Sequence, residues 1–233
     1  SHFNPQGATN YGRANVGAEM IEEARARGVD VWAAQHPYTA TQSNLRSYAL
    51  PSWAAAGGQE QIERLFAHLD TLALLQRQIT ESLAMRGGAE KILFVDEDPR
   101  LNGRTLAELA AEWGASVPAT VQSILTESGN AGVMNLDLYD IENTRYLAAM
   151  PWMMTCTDGR TPSEGQRITH PRVYGAFSRK MRLFALDSSE ITVPFAIRSF
   201  SGLAADFFRL SDRGYVRPGM WADLVVLDLD EYR

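Results

Sequence analysis

The chain has 233 residues, 45% hydrophobic and 21% charged, a balance that supports a folded core and shows no sign of disorder. A formal charge of -6 and a pI of about 5.3 argue against a nucleic-acid or polybasic membrane surface, because phosphate binding needs clustered Lys and Arg. No apolar run approaches the ~20 residues needed to cross a bilayer. The single cysteine, Cys156, rules out an internal disulfide and suits a reducing, cytoplasmic compartment.

The sequence opens on a glycine- and asparagine-rich loop, "SHFNPQGATNYG", with a histidine already at position 2. "VGAEMIEEARARGVD" predicts a helix with Val16, Met20, Ile21 and Ala24 on its apolar face and Gly28 at its end. "VDVWAAQHPYT" follows as a short apolar strand closed by His36-Pro37. Loop, helix and buried strand form the second half of a βαβ unit, whose first strand is expected immediately before Ser1. The stretch from Gly57 to Gly88 predicts a long amphipathic helix, broken in its middle, between two Gly-Gly stops. "KILFVD" reads as a buried strand, "RTLAELAAEWG" as a helix ended by Gly114, and "VPATVQSILTESG" as another helix. "VMNLDLYDIENTRYLAAM" mixes a short strand and a helix, and "WMMTCTDG" turns abruptly from apolar to polar. "SSEITVPFAIRSFSGLAADFFRLS" is helical, with Ser188 and Ser189 as candidate caps, and "GYVRPGMWADLVVLDLD" closes the chain as two strands around a Pro-Gly turn. This alternation predicts an α/β fold with a parallel sheet. In a (β/α)8 barrel, chemistry sits at the C-terminal ends of strands, and three such ends stand out: His2, His36 and Asp158.

Asp158 in "TCTDGRT" is a carboxylate after an apolar run, expensive to bury without a role. At a strand end it could bind a metal and carry a proton from water to a leaving amine. An Asp-Gly turn or a helix N-cap is the commoner use of that dipeptide. His2 could ligate a metal through a neutral ring nitrogen or be an exposed terminal histidine. His36 could be a ligand, a substrate contact or a loop histidine bonded to backbone. Cys156 suits a buried core thiol better than a thiolate ligand, and His68 falls within an amphipathic helix. Arg172 in "THPRVYGAFSRKMR" could hold a carboxylate through a bidentate pair, or belong to a solvated basic loop. No glycine-rich phosphate loop, serine nucleophile elbow or paired-cysteine motif is present. A catalytic zinc takes about three protein ligands, so His2 and Asp158 alone leave the site short.

The ordered set "SHFNPQG", "GVDVWAAQHPYTAT", "LPSWAAAGG", "TCTDG", "THPRVYGAFSR" and "RGYVRPGMWADLVVLD" resembles the N-acyl-D-amino-acid deacylase (D-aminoacylase) branch of the amidohydrolase superfamily over essentially the whole chain. The resemblance implies a zinc-dependent hydrolase of amide C–N bonds acting on a small molecule. It implies the C-terminal part of a metal-dependent TIM-type (β/α)8 barrel over residues 1–212, and strands of a small β-sandwich over 213–233. His2 would bind one or two zinc ions at the end of the sixth strand, and Asp158 would be a metal ligand and the general base and acid. Arg172 and His36 would contact substrate. The remaining ligands are expected upstream of this chain, so the chain alone is expected to be inactive. Two positions depart from the pattern: Asn4 stands where the family commonly has a lysine, and His36 where it commonly has a tyrosine. These replacements leave one of three substrate-carboxylate contacts, at roughly 1.5–3 kcal/mol for a charged hydrogen bond. They keep open an amidohydrolase of another substrate class, cyclic or uncharged, and a non-catalytic scaffold or binding relative.

Overall fold

The computed structural model describes residues 2–160 and 169–232. Among these, two small sheets organise a mixed α/β structure, and no closed barrel is formed. The first sheet is parallel. Strand β1 (Ala33–Gln35) pairs with β5 (Met153–Thr155) in the register Ala33 to Met153 and Gln35 to Thr155. His2 bridges Ala34 in the parallel sense, and the Phe3 amide donates to the Ala34 carbonyl at 2.7 Å.

Helix α1 (Ala14–Ala26) forms where its periodicity predicts, but its buried face is rotated. Ala14 and Ala18 are buried, Ile21 packs beside them, and Val16 and Met20 are exposed. Small side chains let α1 approach α8 (Ile141–Ala148), while bulk comes from Leu147 and the fully buried Trp152. The Trp152 indole donates to the Glu22 carboxylate, giving its buried N–H a partner.

The second sheet overturns part of the expected parallel alternation. Strands β2 (Thr41–Asn44), β3 (Ile92–Phe94) and β4 (Gly132–Asn135) are antiparallel in the order β2-β4-β3. "KILFVD" therefore pairs with β4, Ile92 opposite Asn135, and does not enter the parallel sheet. The reason lies in a separate core. The largest core cluster is drawn from residues between Leu45 and Val133, so this lobe buries its own apolar surface. Helices α2 (Leu45–Ala49), α3 (Ser52–Ala55), α4 (Gln59–Ala67), α5 (Leu69–Ala84), α6 (Leu106–Glu112) and α7 (Val117–Ser128) surround that core. The break in the long helix falls at His68, whose backbone is extended and whose side chain is exposed. It lets Ile62 and Phe66 on one side and Leu75, Ile79 and Leu83 on the other reach the same interior.

Local chemistry sets the helix ends. Thr105 and Glu108 form a capping box on α6, Ser116 caps α7 ahead of Pro118, and Asp140 accepts from two amides of α8. Helix α9 (Arg172–Lys180) runs into a π-helical segment, Met181–Asp187. Ser188 and Ser189 do not cap the next helix; Ser188 ends the π segment and donates to the Leu183 carbonyl. Thr192 caps α10 (Val193–Phe200), because it stands directly before the Pro-containing first turn, and α11 (Gly202–Phe208) follows. The two strands expected in 213–233 are not formed among residues 213–232, and Arg233 lies outside the described residues. Val225 and Val226 are 81% and 97% exposed there, and among the described residues no neighbouring strand completes a ladder.

Ile79→Ala removes a fully buried side chain from the antiparallel lobe. It should cost about 2–5 kcal/mol in denaturant unfolding, with lost amide protection confined to residues 45–133. Lys180 offers a second test. Burial lowers its pKa from 10.5 to about 7, and its amine donates to Ser199 Oγ, which also meets Thr155 Oγ1. An unfolded chain would hold the proton across pH 7–10.5 where the folded one releases it. Stability should therefore rise with pH through that window, and Lys180→Met should abolish the rise in thermal unfolding.

Candidate functional site

Because β1 and β5 are parallel and His2 joins β1 in the same sense, the three chain segments finish at one edge. His2, His36 and Asp158 are delivered there together. His2 Nε2 lies 3.3 Å from Asp158 Oδ2, and the rings of His2 and His36 are 5.6 Å apart. Arg172 Nη1 forms an ion pair with the same Asp158 Oδ2 at 2.8 Å and donates to His36 Nε2 at 3.1 Å. All four residues singled out from the sequence thus meet. Arg172 is buried at the start of α9, so the basic-loop reading of its segment gives way to a helix.

Asp158 serves neither as a helix cap nor within an ordinary extended strand. Its φ is +46°, a left-handed conformation that costs most L residues about 1–2 kcal/mol and that Asp tolerates better than most. At Gly159 a Cβ would come within 2.6 Å of Val173 on α9, so the Asp-Gly pair combines a backbone reversal with a close approach to that helix.

One face of α9 clamps the loop after β1. Arg172 holds His36. Gly175 leaves room for the Tyr38 hydroxyl, which a Cβ would meet at 2.5 Å, and Arg179 donates to the Pro37 carbonyl while stacking on Tyr38. Positions 172, 175 and 179 share a helical face. Two further site residues escaped the sequence reading. His170 is fully buried; its Nδ1 accepts from the Arg172 amide at 3.0 Å and its Nε2 donates to the Ala40 carbonyl at 2.9 Å. Its placement just before a Pro-initiated helix was the available cue. Tyr139, also buried, meets His2 Nδ1 through its hydroxyl at 3.0 Å, and nothing local in "LDLYDIEN" marks it.

Burial shapes the electrostatics. It lowers the His36 pKa from 6.5 to about 3, with Arg172 adding to the effect, and that of His170 to about 4. His36 is therefore neutral, its Nε2 accepting from Arg172 and its Nδ1 carrying the proton. Burial also lowers His2, with Asp158 opposing. The Cys156 thiol is pushed up to about 11 by burial and then by Asp158, which favours a core thiol over a thiolate ligand. Asn4 is turned away, its amide donating to Thr144 Oγ1. His68 takes no part in the site.

An imidazole nitrogen facing a carboxylate oxygen suits zinc, so His2 and Asp158 fit part of a zinc sphere. His36 does not add to it, since its Nε2 lone pair is used by Arg172. Among the described residues there is no group of three or more His, Cys, Asp or Glu that could hold a metal. Nor is any helix long and apolar enough to cross a membrane.

The chain is similar to two deacylases of Alcaligenes xylosoxydans xylosoxydans. It is 26% identical to N-acyl-D-glutamate deacylase over 230 residues, which is 99% of this chain and 38% of that protein. It is 29% identical to D-aminoacylase over 228 residues, 98% of this chain and 38% of the relative. The fold superposes on a crystal structure of N-acyl-D-glutamate deacylase from Bordetella bronchiseptica complexed with zinc and a phosphonate mimic of the tetrahedral intermediate. There the TM-score is 0.67 and the identity 22%, over 95% of this chain and 38% of that one. A D-aminoacylase structure concerned with a binuclear metal centre matches with a TM-score of 0.69 and 26% identity over the same shares. The chain thus spans 38% of the length of these relatives. A profile of the amidohydrolase family matches residues 2–233, and the chain belongs to that family.

Proposed function

We propose that the protein is a zinc-dependent hydrolase of non-peptide amide C–N bonds, related in activity to the N-acyl-D-amino-acid deacylases. The observation that carries this reading is the meeting of His2 Nε2, Arg172 Nη1 and Asp158 Oδ2 at one sheet edge. In support, two of the solved relatives are described with zinc or a binuclear metal centre. The parallel pair β1–β5 and the His2 segment would be the last strands of a (β/α)8 barrel, and residues 213–233 would lead into a small β-sandwich.

His2 and Asp158 would hold the zinc with ligands from outside the described residues. When bound, zinc acidifies water and polarises the scissile carbonyl. The Asp158 carboxylate takes the proton from the attacking water and returns it to the leaving amine nitrogen. Arg172 fixes Asp158 in its left-handed conformation and holds neutral His36 against the site. Excluding water from the base of the site falls to buried His170 and Tyr139.

A second reading concerns the substrate. Asn4 is bonded to Thr144, and Arg172 already serves Asp158 and His36, so the positions expected to receive a substrate carboxylate are otherwise engaged. This favours an uncharged or cyclic amide. Comparing the intact protein on N-acyl-D-amino acids and on their carboxamides decides between them: faster turnover of the free acids supports the deacylase, and faster turnover of the amides supports the alternative.

Asp158→Asn should lower kcat about 10²–10⁴-fold. Chelation should abolish turnover, and added zinc should restore it. Intact protein that purifies without zinc and stays inert on zinc addition would instead mark a binding relative without catalysis.

A further inference from the structure

We infer that Tyr139 is a positioning residue for His2, fixing the orientation in which its Nε2 is presented as a metal donor; the inference rests on the zinc reading above. His2 uses its two nitrogens differently. Nε2 faces Asp158 Oδ2 at 3.3 Å, and Nδ1 meets the Tyr139 hydroxyl at 3.0 Å. An imidazole binds a metal through an unprotonated nitrogen, and the hydrogen bond made by the other nitrogen selects the tautomer. A phenol hydroxyl can donate to a bare Nδ1 or accept from Nδ1–H, so this contact holds the ring both when Nε2 gives its proton to Asp158 and when Nε2 offers its lone pair to a metal.

Tyr139 is built to hold that position. It is 1% exposed, and its amide donates to the Thr39 carbonyl at 2.9 Å. The neighbouring Leu138 carbonyl accepts from the Gly7 amide at 2.8 Å, tying the tyrosine to the loop that carries His2. Its ring lies 5.9 Å from that of His2 and 5.8 Å from that of His36, so it packs against both site histidines. A buried phenol whose hydroxyl reaches a ring nitrogen at this distance holds the tilt of the imidazole.

Tyr139→Phe removes the hydroxyl and keeps the ring. In the intact protein, zinc affinity measured by chelator competition should fall about 10–100-fold. The ¹⁵N shift of His2 Nδ1 in the metal-free protein should move, because its hydroxyl partner is gone. Tyr215→Phe, which removes a phenol hydroxyl that donates to Asp206 in the C-terminal segment, should leave both readouts unchanged. If wild type binds zinc and Tyr139→Phe binds it within twofold with an unaltered His2 spectrum, the positioning role is wrong and the hydrolase reading stands. If wild type binds no zinc, the hydrolase reading and this inference fall together.

Discussion

Everything at the site depends on a parallel register only three residues long. Parallel strands end on the same side, so the pairing of β1 with β5 and of His2 with Ala34 brings residues far apart in sequence to one edge. An antiparallel pairing of the same segments would send His36 and Asp158 to opposite ends. The bonds themselves are few, and a two-stranded parallel ladder is weak in isolation. Its stability comes from side chains: Trp152 and Met153 are fully buried beneath the pair, with Phe3 against the Trp152 ring at 6.2 Å. The chemistry of the strand ends is thus underwritten by the apolar residues beneath them.

Helix α9 converts that edge into a defined arrangement. A buried guanidinium is unfavourable unless paired, and Arg172 is paired twice through one nitrogen, to a carboxylate and to a neutral imidazole. Removing Asp158 would strand the charge in a low-dielectric pocket. This coupling explains why His36 must be neutral: a proton on its Nε2 would face the Arg172 donor directly. It also explains the spacing of the helix, since Arg172, Gly175 and Arg179 contact His36, Tyr38 and Pro37 in turn.

Much of this was legible in the sequence, and the gaps have physical causes. Asp158 and His36 were identifiable because each ends a short apolar run, and His2 and Arg172 because their place in an ordered set of motifs matched a family pattern. The phase of α1 was misjudged because Val16 and Met20 look more apolar than Ala14 and Ala18. Close packing against α8 selected the smaller side chains. The strand at Ile92–Phe94 was found, but its partner and direction were not, since a short apolar run is the same for parallel and antiparallel neighbours. Strand β2, "TQSN", carries no apolar pattern and exists through its edge ladder with β4. Tyr139 and His170 act through contacts more than 100 residues away, which no local window contains.

The antiparallel lobe and the site share a narrow junction. The lobe's core is self-contained, yet the segments entering and leaving it carry site contacts: Ala40 receives His170, Gln42 accepts from the His170 amide, and Tyr139 meets His2. Thr39 and Tyr139 are bonded to each other across this root. A perturbation inside the lobe can therefore reach His2 through the position of residues 39–42 and 136–139, and through the close approach of Met85 to Gly7. Substitutions deep in the lobe and substitutions at its root should differ in kind. The former lower stability while the imidazole keeps its partner, and the latter move the partner itself. The buried polar contacts at the root, together with the parallel register above them, set where the candidate metal donor points.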